Sequence, residues 1–151
     1  MVVVIIGIAA AVIVPYVANT DDLQAMSSAR MIVSDLQYAQ DTAVTTQTPV
    51  TVTFHTNNET YELSNASGRL THPINKTGYL VNFRAVSGLG NVDLASADFG
   101  GGATVTFDVM GAPGTVTPTG GATHNIVLRA GTKVFYVDVA TATGKVTVTG
   151  G

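Results

Sequence analysis

The chain passes through three hydropathy regimes. Residues 1–18, MVVVIIGIAAAVIVPYVA, carry no charged and no strongly polar side chain, and the first charged side chain is Asp21. At 1.5 Å per residue, a helix over this stretch is about 27 Å long, close to the roughly 30 Å hydrocarbon core of a bilayer. The pattern predicts a membrane-spanning helix. A cleaved secretory signal fits less well, because no Lys or Arg precedes the apolar run and Tyr16 is too bulky for a cleavage site ending at Ala18. A soluble core helix fits less well still, because the segment is apolar on every side. Gly7 and Ala11 form a small-xxx-small pair that lets helix backbones approach closely. Pro15 removes a backbone donor and predicts a kink or a loosened turn.

From residue 19 to 48 the apolar period is helical. Asn19, Thr20, Asp21 and Asp22 suit the start of a helical turn, where side-chain oxygens and negative charge meet unpaired N–H groups. Met26, Ala29, Ile32, Val33, Leu36, Ala39 and Ala43 recur at steps of three and four, with Ser28, Ser34, Asp35, Gln37 and Asp41 mostly on the other side. With no strong breaker between residues 18 and 23, the two segments read as one long, bent helix that Pro49 stops.

After Pro49 the period falls to two. Val50, Val52 and Phe54 alternate with Thr51, Thr53 and His55, then Asn57-Asn58 turns the chain into a second strand through Tyr61 and Leu63. Further strands are predicted over residues 79–84, 104–109, 123–129, 133–139 and 145–149, with turn-rich chain over 65–77 and a glycine loop through Gly88 and Gly90. The fold class is therefore α+β: one long N-terminal helix packed on an antiparallel β domain, residues 49–151, of about seven short strands, with residues 19–151 folding as one unit.

Composition narrows the function. The net charge is −3 and the pI about 5.4, which does not describe a protein that coats nucleic acid. The helical segment 21–48 is acidic, with Asp21, Asp22, Asp35 and Asp41 against Arg30, whereas residues 49–151 hold six acids and six bases. The chain has no cysteine, which excludes disulfides, thiolate metal sites and a Cys nucleophile. His55, His72 and His124 show no metal-binding spacing. Asp93 and Asp98 flank a loop but supply only two carboxylates, too few for Ca²⁺. Gly88-Leu89-Gly90 and Gly144-Lys145-Val146 each lack the rest of a nucleotide-binding loop, and no GxSxG is present. No catalytic residue, metal, cofactor or nucleotide is expected.

Four stretches resemble the GspH/FimT group of type IV pilin-like proteins. Residues 2–15, VVVIIGIAAAVIVP, resemble the later part of the pilin N-terminal helix, including Gly7 and Pro15. Leu36, Tyr38, Ala39 and Ala43, followed by PVTVTF at 49–54, resemble the family's passage from helix to first strand. FDVMGAP at 107–113 resembles its strand-turn segment, and Val137, Val139 and TGKV at 143–146 its closing hairpin. The resemblance implies a pilin-like fold and a structural minor pseudopilin or pilin subunit of a type II secretion or type IV pilus filament. It places the chain in the bacterial inner membrane as a single-pass protein with its C-terminal domain in the periplasm. Gly7, Ala11 and Pro15 would mediate helix packing among pilin-like subunits, with secreted substrate or DNA as further partners. The alternative it offers is a pilus-tip subunit that contacts DNA through Arg129, Lys133 and Lys145. In the family a leader is cleaved and the new N terminus methylated; Met1 aligns inside the apolar helix, so the leader and first mature residues are expected upstream of it.

Overall fold

A computed structural model describes residues 20–151. Helix α1 (Thr20–Thr46) carries Asp21 and Asp22 in its first turn, where negative charge complements the helix dipole. It ends three residues before Pro49: Gln47 takes a left-handed conformation with φ 52°, and the Thr48 N–H donates to the Ala43 carbonyl at 3.3 Å. This six-to-one bond closes the helix as a Schellman turn, with Gln47 at the position usually held by glycine. The stop is therefore the left-handed Gln47, which lies two residues before Pro49.

The buried stripe of α1 is Ala25, Ser28, Ala29, Ile32, Leu36, Ala39 and Ala43. Four alanines bring the helix close to the sheets, and Ile32 and Leu36 each contribute about 1.5–3 kcal/mol by burial. The stripe is rotated from the one the sequence predicts. Met26 is 39% exposed and Val33 only half-buried, whereas Ser28 is fully buried and donates from its hydroxyl to the Ala25 carbonyl at 2.8 Å. That internal bond satisfies the hydroxyl and makes Ser28 as small and inert as alanine on this face.

Two antiparallel sheets follow. The first contains β1 (Val50–His55), β2 (Thr60–Asn65), β3 (Gly68–Arg69), β4 (Leu80–Asn82) and β6 (Thr104–Phe107). Its order is β3-β2-β1-β6, with β4 also pairing with β2. The second has the order β5-β7-β8-β9, from β5 (Asp93–Ala97), β7 (Ile126–Ala130), β8 (Lys133–Val139) and β9 (Val146–Gly150). Helix α1 crosses both sheets, and the core between them is built from alternating inward residues such as Val52, Leu63, Val105, Leu128 and Val137.

The α+β architecture is as predicted, with nine strands among the described residues where about seven were expected. The sequence pattern predicts turn and loop where the two-residue β3 and the bulged β5 lie. In β5 the register against β7 shifts between Leu94 and Ser96, which breaks the alternation that would reveal a strand. Strand β6 stops at Phe107 because Asp108 turns the chain, its carboxylate accepting from the N–H groups of Met110 and Ala112 at 2.8 and 2.9 Å. Among the described residues no helix is long and apolar enough to cross a membrane; the expected span, residues 1–18, with Gly7, Ala11 and Pro15, lies outside them.

Candidate functional site

The helix is held to the first sheet by one acidic side chain. Asp35, one position before Leu36, sits at the margin of the buried stripe. Its carboxylate accepts from the Tyr61 hydroxyl at 2.5 Å and from the Tyr79 hydroxyl at 2.9 Å. Burial pushes the Asp35 carboxyl up, and the two phenol donors only partly offset this. Burial first, and the Asp35 charge second, push both tyrosine hydroxyls up, so they remain protonated donors. Tyr79 also contacts Tyr38 at 5.4 Å and His72 at 4.5 Å between ring centroids. Asp35 lines a cavity of about 400 Å³ with Met31, His72, Ile74 and Asn75, but both of its oxygens are already engaged. Chemically it is a latch.

Further buried polar groups join the loops. Asn125 donates from Nδ2 to the carbonyls of Asp98 at 3.0 Å and Val116 at 2.5 Å, and accepts from the Val139 N–H at 2.9 Å. Its side chain thus takes the place of a further rung of β7, which explains why that strand begins at Ile126 rather than at residue 123. Glu59, with φ 57°, accepts from the Leu94 N–H at 2.6 Å and ties the β1–β2 turn to the outer edge of β5.

The titratable groups named by the sequence do not converge. His55 lies 3.7 Å from Glu62, His72 packs against Tyr79 with its ring tilted by 42°, and His124 contacts Asp138 at 2.9 Å while stacking on Tyr136. Among the described residues no three His, Cys, Asp or Glu side chains group as metal ligands. Asp93 and Asp98 bracket strand β5 rather than a loop. Both Asp98 oxygens are filled, one by the N–H groups of Gly100 and Gly101 and the other by the N–H and hydroxyl of Thr119. Those donors, Gly101 foremost and Thr119 next, hold its carboxyl down at about 2.

The three bases proposed for DNA contact are also separated. Arg129 points to the outer face of the second sheet, beside His124 and Tyr136 in a groove of about 350 Å³. Lys133 pairs with the buried Ala130, faces the helix, and lies 3.9 Å from Asp22. Lys145 stands at the opposite end of β8, where its carbonyl accepts from the Ala140 N–H. The fold therefore builds no continuous basic strip from them. The sequence pattern does not mark Asp35, Glu59 or Asn125 as functional; the one signal is that Asp35, on the more polar side of the helix, directly precedes the stripe residue Leu36.

What remains distinctive is a helix with one face fixed to the β domain and an exposed apolar residue, Leu23, at 66% exposure near the end that follows residues 1–18. A family model described as type II transport protein GspH matches residues 28–145, from within α1 to the residue before β9. No curated protein matches the chain. Among solved structures, the minor pseudopilin EpsH from the Type 2 Secretion System of Vibrio cholerae is similar with a TM-score of 0.58 over 84% of this chain and 97% of that one. The identity is 11%, so the likeness is one of fold. Together with the helix-on-sheets architecture, the family match over most of its length shows that this chain belongs to the GspH family of type II transport proteins.

Proposed function

We propose that the chain is a structural, non-catalytic minor pseudopilin of a type II secretion filament. The apolar residues 1–18 hold it in the bacterial inner membrane as a single pass, with the β domain in the periplasm. On assembly, neighbouring helices of other pilin-like subunits replace the lipid, and Gly7, Ala11 and Pro15 shape that contact. The observation that supports this most is the fixation of α1. Its alanine stripe and the Asp35 latch join it to both sheets, so a pull on the helix is transmitted to the whole β domain. The separation of Arg129, Lys133 and Lys145 offers no support for the DNA-capture alternative.

Deleting residues 1–18 tests the proposal. The expected product is a folded, soluble monomer that neither enters the filament nor restores secretion to cells lacking the protein. Restored secretion by the deletion variant would overturn it.

A further inference from the structure

The sheet edges are treated unequally. The outer edge of β5 is covered by Glu59, which takes the Leu94 N–H. The outer edge of β6 is covered by the following turn, with the Gly114 N–H donating to the Thr106 carbonyl and Pro113 bridging to Phe107. β3 and β4 are two and three residues long, too short to template a partner. β9, sequence VTVTG, is a five-residue edge with no charge, proline or covering segment among the described residues.

Its register shows which backbone groups are free. The Ala140 N–H donates to the Lys145 carbonyl and the Gly151 N–H to the Val134 carbonyl. Hydrogen-bonded pairs alternate along an antiparallel ladder, so Thr147 and Thr149 bond to β8 while the N–H and C=O groups of Val146, Val148 and Gly150 point away from it. These outward groups find no partner among the described residues.

Beside this edge lies a cavity of about 340 Å³ lined by Met26, Arg30 and Val33 of α1 with Phe135, Val148 and Gly150. Met26, Arg30 and Val33 follow one another at steps of four and three, forming a helix stripe on the β9 side. A strand added about 4.8 Å beyond β9 would direct alternate side chains toward that stripe. Arg30 is exposed and pairs with no carboxylate among the described residues.

We propose that the free edge of β9 is a docking strip for an extended segment of a partner protein. The segment adds as a further strand, sets an apolar side chain among Met26, Val33, Phe135 and Val148, and places a carboxylate against Arg30. Backbone bonds supply affinity, and the pocket and the charge supply selection. A second copy of this chain fits less well, because β9 has no acidic residue to offer Arg30. The inference needs only the edge, the pocket and Arg30, and does not rest on the secretion reading.

The test uses the full chain in detergent micelles, with amide hydrogen exchange as the readout. The probe is a short acetylated peptide alternating Thr and Val, with one Glu replacing a Val; a control peptide carries Lys there. The Glu peptide is expected to slow exchange at Val146, Val148 and Gly150 by about tenfold or more. The Lys peptide should bind about tenfold more weakly, and Arg30→Glu should reverse that preference. Val148→Pro removes an outward N–H that the β8 ladder does not use, and should abolish the effect at Val146 and Gly150. The proposal is overturned if neither peptide slows exchange, if both act equally on the wild type, or if Arg30→Glu leaves the preference unchanged. A dimer whose β9 amides are protected before any peptide is added would overturn it in favour of self-pairing.

Discussion

The carboxylate of Asp35 accepts a hydrogen bond of 2.5 Å from the hydroxyl of Tyr61, joining the helix to β2 across 26 residues of sequence. The same carboxylate takes the Tyr79 hydroxyl, so one side chain aligns α1, β2 and the segment leading into β4. Asp35→Ala leaves two phenol groups without their acceptor and is expected to cost about 2–4 kcal/mol. Asp35→Asn keeps an acceptor and adds a donor that a phenol oxygen can take, so its cost should be within about 1 kcal/mol. Urea denaturation of the detergent-solubilised chain checks both; equal losses would show that the charge, not the hydrogen-bonding shape, holds the latch.

Asp35 and Asp98 should act on acid stability with opposite signs. Asp35 has a folded pKa above its unfolded value, so between the two the native state binds more protons and stability falls as pH rises. Asp98 is held at about 2, below its unfolded value, so its contribution is present above about pH 4 and is lost as pH falls toward 2. Asp98→Asn should therefore flatten the stability curve on its acid side between about pH 4 and 2. Asp35→Asn should remove the opposing slope that begins near pH 4 and extends upward. Denaturation midpoints across this range provide the measurement.

Gln40 links the far end of the helix to two turns. Its Nε2 donates to the Gly111 carbonyl at 2.7 Å and to the Thr143 carbonyl at 3.1 Å. Gln40→Ala is expected to cost about 1–2 kcal/mol, mostly through the part-buried Gly111 carbonyl. Gly144, next to this junction, has φ 67°, and a Cβ there would lie 2.7 Å from the Gln40 amide and 3.2 Å from the Gly111 oxygen. Gly144→Ala should cost at least about 1 kcal/mol. Because both changes disrupt one junction, the double variant should lose less than the sum of the singles.

Asn125 is 2% exposed and makes three side-chain hydrogen bonds to backbone groups. Asn125→Ala strands the Val139 N–H and two carbonyls, with an expected loss of about 3 kcal/mol or more. Faster amide exchange at Val139, ahead of the rest of β8, would locate the damage.

The sequence by itself determined the element types and their order. A shift from a period near 3.6 to a period of two marks where the helix gives way to strands, and alternation of apolar with polar residues reveals β1 and β2, as β-branched and aromatic residues reveal β8. These signals are legible because they arise from each segment's own backbone geometry. They do not extend to β5, where the bulge between Leu94 and Ser96 breaks the alternation, nor to β3, which exists only because β2 lies beside it. The tertiary structure alone decided that Ser28 is buried and Met26 exposed, because the angle at which α1 meets two sheets sets the stripe's final rotation. It also decided that Arg129 and Lys133 face opposite ways, that Asp35 meets two tyrosines, and that no described segment covers the outer edge of β9. Each of these depends on which distant segment arrives opposite a residue, and nothing within a few positions along the chain encodes that.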